Sequence, residues 1–186
     1  MRKTELLNQA IDYVAAHGIS SLSLRELAAA IGTSHRMLIY HFGSKEGLLI
    51  AIVHEVERRQ RGFFATFATD TGLPPREAGL LYWRQVTDPR LDQSVRLFFE
   101  LYGQAIQGRP GTTGFLDGIV DSWVEPLTQY GVQHGVPAEQ ARADARLSVA
   151  VARGLLLDLV ATGDREAVNA AYERYLQLYE RIFPSE

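Results

Sequence analysis

The stretch Leu24-Arg25-Glu26-Leu27-Ala28-Ala29-Ala30-Ile31-Gly32-Thr33-Ser34-His35-Arg36-Met37-Leu38-Ile39-Tyr40-His41-Phe42-Gly43-Ser44-Lys45-Glu46-Gly47-Leu48 decides how this chain reads. Ser23 stands before it as an N-cap, Glu26 at N3 would complete a capping box, and Leu22 and Leu27 occupy the positions of a hydrophobic staple. The pattern predicts a helix from Leu24 to Ile31, a break at Gly32-Thr33-Ser34, and a short helix from about His35 to Phe42 with Leu38 and Phe42 inward. Gly32 permits a positive φ in the turn, and the small Ala28 and Ala29 let the two helices approach. Two short helices joined by such a turn form a helix-turn-helix, whose second helix can enter a DNA major groove.

Working outward, a first helix is expected from Lys3 to His17, with Leu7, Ile11 and Val14 on one face, Gly18 at C′ and Ile19 packing back as C″. A long helix follows from Ser44 to about Thr69, carrying Leu48, Leu49, Ile52, Val53, Val56, Phe63, Phe64 and Phe67, and bridges two cores. After the break at Gly72-Leu73-Pro74-Pro75, helices are expected at 75–87, 89–107, 114–134, 137–162 and 164–182, bounded by Pro89, the Gly108-Arg109-Pro110-Gly111 turn, Gly135 with Pro137, and Gly163. No alternating strand runs with hairpin turns occur. The expected fold is therefore all-α, about nine helices, with a helix-turn-helix domain over residues 1–50 (its bridging helix over 44–69) and a helical domain over 51–186.

With 46% apolar and 22% charged residues, the composition is that of a packed globular protein rather than a disordered one. The absence of cysteine excludes a disulfide framework, a thiolate nucleophile and a Cys-ligated zinc site, and is compatible with a cytoplasmic location. The amino terminus does not read as a signal peptide. Apolar runs such as Leu147 to Ala161 are interrupted by Arg153 and Asp158, so none spans a membrane. Net charge divides unevenly: residues 1–62 hold eight Arg/Lys against six Asp/Glu, and the remainder eleven against sixteen, giving +2 and -5. Nucleic-acid contact therefore belongs to the amino-terminal third.

The quoted string resembles the amino-terminal domain of the TetR family of regulators over about residues 3–55, most specifically in the run Tyr40-His41-Phe42 followed by Ser44-Lys45-Glu46. The resemblance implies that Arg25, Thr33, Ser34, His35, Arg36, Met37 and Tyr40 face DNA, and that His41 and Lys45 contact phosphates. Arg36 has the chemistry to hold guanine O6 and N7 in bidentate fashion, and Arg25 can serve a base or a phosphate. Lys45 sits in the first turn of the long helix, where a cation is unfavourable beside the positive dipole end unless an anion binds there too. The chain departs from the family pattern at Ile39, where tyrosine is frequent; Ile39 would either touch a thymine methyl or pack inward.

For the carboxy-terminal part, Trp83, Phe98, Tyr102 and Trp123 are candidates to line a pocket for a partly apolar or aromatic small-molecule effector, with plain core as the competing reading. The last two helices carry apolar faces, with Leu147, Val151, Leu155 and Val160 on one and Val168, Tyr172, Tyr175, Tyr179 and Ile182 on the other. By resemblance these would pair with a second copy as a four-helix interface, in which Val151, Gly154, Leu155, Tyr172, Tyr175 and Tyr179 take part and Gly154 permits close crossing. No hydrolase, phosphate-loop, zincin or dinucleotide motif occurs, so no catalytic residue, cofactor or metal ligand is expected. His54 and Glu57 share a helix face, but Arg58 beside them points to a surface ion pair. The expectation is a homodimeric regulator that represses from a pseudo-palindromic DNA operator until an effector releases it. Its rival is an all-α small-molecule carrier with a vestigial DNA-binding motif.

Overall fold

Gly18, at φ 73°, ends the first helix by turning its amide back to the Val14 carbonyl at 2.8 Å. That helix, α1 (Lys3–His17), buries Leu6, Ala10, Ile11 and Val14. Leu6 thus takes the inward place expected of Leu7, which is half-buried. The computed structural model describes residues 2–18, 22–70 and 74–182, without the side chains of 67–70 and 180–182. The expected roles of Ile19, Phe67, Gly72, Leu73 and Ile182 lie outside what is described.

Among the described residues there are nine α-helices and no strand. After α1 come α2 (Leu24–Ala30), α3 (His35–Phe42), α4 (Lys45–Asp70), α5 (Pro75–Val86), α6 (Asp92–Ile106), α7 (Asp121–Gln133), α8 (Ala138–Thr162) and α9 (Arg165–Ile182). Short 3-10 turns occupy Pro89–Leu91 and Thr113–Leu116. The helix expected over 114–134 is therefore broken. Gly118, at φ 67°, separates the turn at Thr113–Leu116 from α7.

The residues group into two compact units, one formed by residues 1–59 with 89–117 and the other by 60–88 with 118–186. This is not the single cut after residue 50 that the sequence suggests. Phe115, fully buried, is the reason on the amino-terminal side: it meets Phe98 and Tyr102 of α6 at 5.8 and 6.3 Å and stacks on His54 of α4 at 5.7 Å. α6 also packs on α1. The segment after Pro89 thus buries its aromatic rings in the same core as the helix-turn-helix.

In the second unit, α8 packs on both α7 and α9, and α5 packs on α9. One of its cores gathers Phe64, Ala78, Trp123, Val124, Ala145 and Val149, with Tyr82 and Tyr130 against it. The other gathers Trp83, Val86, Ala152, Leu159, Val168, Tyr172 and Leu176. α4 starts in the first unit and ends in the second, changing over between Arg59 and Gln60.

Candidate nucleic-acid interface

The turn between α2 and α3 is built by hydrogen bonds that only a short, glycine-bearing linker can make. Gly32 adopts φ 68°, and the Thr33 amide reaches back to the Ala28 carbonyl at 2.8 Å. Ala28 is buried at the approach of the two helices, whereas Ala29, expected to share that role, is exposed. Ser23 caps α2 by accepting from the Arg25 amide at 3.3 Å. The cap is thus made at N2, not through the reciprocal box expected with Glu26. Such a box-type bond closes α1 instead, where the Arg2 amide donates to Glu5 Oε2 at 2.9 Å. Leu22 and Leu27 are both buried, as a staple requires.

Ser34 caps α3, its Oγ accepting from the Met37 amide at 3.2 Å. Its hydroxyl therefore already has a structural duty where DNA contact was expected. Leu38 is the one fully buried residue of α3 and anchors the helix inward. His35, Arg36, Ile39 and Tyr40 are exposed, Tyr40 to 78%, and Met37 and Thr33 are half-buried. Arg25 of α2 is exposed as well.

The junction of α3 and α4 explains the glycine that follows Lys45-Glu46. Gly43, at φ 78°, ends α3, and Ser44 caps α4 by accepting from the Gly47 amide at 3.0 Å. A Cβ on Gly47 would collide with the Phe42 carbonyl oxygen, so α4 can start this close to the end of α3 only through glycine. Lys45 is thereby held in the first turn of α4, half-buried, with the free amides of that turn beside it. Phe42 is half-buried and lies under the Lys3 ammonium at 5.6 Å. His41 holds its Nε2 buried, with no hydrogen-bond partner. A phosphate contact through that atom requires the ring to turn.

Residues 6–52 match the family model of the bacterial regulatory proteins of the tetR family. The matched residues run from α1 into α4, about a quarter of the chain. Solved TetR-family regulators share the fold along nearly the whole chain. One from Pectobacterium atrosepticum is 21% identical, covers 95% of this chain and 91% of its own, and superposes with a TM-score of 0.74. One from Legionella pneumophila is 17% identical, with 96% and 97% covered and a TM-score of 0.73. A candidate transcriptional regulator from Saccharomonospora viridis, solved in complex with choline, is 19% identical, with 96% and 95% covered and a TM-score of 0.68. Identities this low establish the fold alone. No curated protein matches the chain. No helix among the described residues is long and apolar enough to cross a membrane.

The four effector candidates fall in three clusters. Phe98 and Tyr102 pack on Phe115 in the unit that holds the matched residues. Trp83 stacks on Tyr172 at 4.2 Å and donates its indole N–H to Asn169 Oδ1 at 2.8 Å. Trp123 belongs to a different cluster, meeting Tyr82 edge-on at 5.4 Å under the Arg61 guanidinium at 5.7 Å. Phe64, Tyr82 and Tyr130, none of them among the four candidates, complete that cluster, with Phe64 edge-on to both tyrosines. The Tyr130 hydroxyl is buried there without a hydrogen-bond partner, and burial pushes its pKa up.

Several of the dimer candidates make contacts within the single chain. Tyr172 is buried in its own unit, and burial drives its pKa far upward. Tyr175 shares a 2.7 Å hydrogen bond with Ser148, and Tyr179 donates to Asp144 at 3.3 Å, so both tie α9 to α8 within one chain. Val151 and Leu155 are half-buried against the Trp83 core. The outward stripe of α8 is Leu147, Ala150, Gly154, Leu157 and Ala161, all exposed and spaced by alternating threes and fours. Leu178 is exposed on α9. Of the residues expected at the interface, Leu147 and Gly154 lie on this stripe. The signal that could have found Leu157 is that spacing of small residues and leucines.

Arg58 pairs with Glu55, at 2.7 and 2.8 Å, and not with Glu57, which is buried. Among the described residues no group of three or more His, Asp or Glu side chains is placed to hold a metal ion.

Proposed function

We propose that the chain is a homodimeric repressor whose two α3 helices enter successive major grooves of a pseudo-palindromic operator, and which a small-molecule effector releases. The observation that carries this reading is the outward face of α3, where Arg36 and Tyr40 are exposed opposite the fully buried Leu38. That face is followed at once by the glycine-dependent junction that presents Lys45 at the start of α4. Arg25, Thr33, His35, Arg36, Met37 and Tyr40 meet the groove, and Lys45 with the amides of its turn holds a phosphate.

Two copies pair through the apolar stripe of α8 and the exposed Leu178 of α9. Such a stripe of small residues and leucines suits close helix crossing. The effector binds in the second unit at the cluster of Phe64, Tyr82, Trp123 and Tyr130. It is partly apolar or aromatic and brings an acceptor for the Tyr130 hydroxyl, since an unsatisfied buried hydroxyl costs about 1–3 kcal/mol. The neighbour from S. viridis binds choline. In this chain a cation already sits over Trp123, so a quaternary ammonium would have to displace Arg61. α4, shared between the two units, carries the response to the DNA-binding residues.

A gel shift with DNA from upstream of the gene, competed against unrelated duplex, tests the reading. Specific retardation that Arg36→Ala abolishes supports it. Retardation equal for both duplexes, or none, removes it in favour of a carrier with a vestigial motif.

A further inference from the structure

Ile39 is an apolar residue on the wrong side of α3 for a structural purpose. Setting Leu38 as directly inward, the turn of about 100° per residue places Arg36 and Tyr40 within about 20° of directly outward and Ile39 on their flank. The exposures agree: Leu38 is 0% exposed, Ile39 36% and Tyr40 78%. α3 therefore leaves more than a third of the Ile39 surface uncovered, and helix propensity gives no reason for the residue, because a β-branched residue is a poorer helix former than alanine. The same branching holds χ1 to one dominant rotamer, so the methyl groups are presented as a fixed knob three residues along the helix from Arg36.

We infer that Ile39 is a specificity residue that reads the 5-methyl group of a thymine in each half-site. The inference rests on the proposed entry of α3 into the major groove. Within that groove thymine alone among the four bases offers a methyl group, and apolar side chains recognise it by contact. Ile39 lies three residues past Arg36, about 4.5 Å further along the helix axis, which corresponds to about one base-pair step of the duplex. The thymine is thus next to, or one step beyond, the base that Arg36 reads. Water leaves both the thymine methyl and the Ile39 side chain, and burying one methyl-sized group is worth about a four-fold change in affinity.

Operator duplexes selected with the intact protein from a randomised pool provide the test. Each thymine of the half-site is replaced in turn by deoxyuridine, which removes the 5-methyl group and leaves every hydrogen-bonding group in place. The intact protein should lose about four-fold in affinity at one thymine of each half-site. Ile39→Ala, a helix-compatible change at a partly exposed position, should bind the thymine and uracil duplexes equally there while still responding to substitution of the base read by Arg36. If no uracil substitution weakens the intact protein, or if the loss persists undiminished in Ile39→Ala, the assignment of Ile39 is wrong and DNA binding stands. If no duplex is enriched at all, the underlying reading fails together with it.

Discussion

Lys45 shows how one residue can be costly in the free protein and useful in the complex. A cation in the first turn of α4 opposes the helix dipole, and a phosphate arriving at the same amides removes the conflict. Each neutralised phosphate releases about 0.9 counterion equivalents on double-stranded DNA. Lys45→Ala should therefore weaken binding to all duplexes alike and flatten the plot of log affinity against log salt, by about two units for a dimer. An unchanged slope in filter-binding titrations would take Lys45 out of the phosphate set. Gly47 makes the complementary case, because its role is purely steric. Gly47→Ala places a Cβ against the Phe42 carbonyl, where backbone must move, and overpacking of this kind costs about 1–3 kcal/mol. Denaturant unfolding should show that loss, and an unshifted midpoint would mean the α3–α4 junction relaxes freely.

At the scale of elements, the long-range tie between α1 and α4 runs through one carboxylate. Glu55 accepts from Arg58 at 2.7 Å and from Arg59 at 2.9 Å, and Arg59 in turn donates to Asn8 of α1 at 2.5 Å. The Arg58 hydrogen bond, followed by that of Arg59, pulls the Glu55 carboxyl down from 4.5 to about 2 against the opposing effect of burial. Because the folded value lies below the unfolded one, the stabilisation is fully present above about pH 4.5 and is lost as pH falls toward about 2. Unfolding followed across that window should show a smaller acid loss in Glu55→Gln than in the unmodified chain. Equal pH dependence of the two would dissociate Glu55 from acid sensitivity. Element by element, much of this was readable beforehand. Gly18, Gly32 and Gly163 mark helix ends because each takes a positive φ there, and Leu38 is the inward residue of α3. The break at Gly118 was not readable, because the residues on both sides keep a helical apolar pattern. Nor was the placement of Phe98 and Tyr102, since periodicity identifies the buried face of a helix but not the element that covers it. The same holds for the α9 tyrosines, of which Tyr175 and Tyr179 bond to α8 of the same chain.

For the whole molecule, the account needs two copies, because a single helix-turn-helix buries too little surface for tight specific binding. In the proposed pairing they meet along the exposed stripe Leu147, Ala150, Gly154, Leu157 and Ala161. Leu157→Asp, at a side chain half exposed in the single chain, should leave helicity intact and yield a monomer by sedimentation. A dimer that tolerates this charge would place the interface elsewhere. The central claim, that paired α3 helices read an operator, is tested most directly by selecting bound duplexes from a fully randomised pool with the intact protein. An inverted repeat should be enriched whose half-site centres are about 10 base pairs or a multiple of that apart, with Arg36→Ala relaxing one position in each half. A pool that remains random after repeated rounds, or a single unrepeated site bound by one copy, would contradict it.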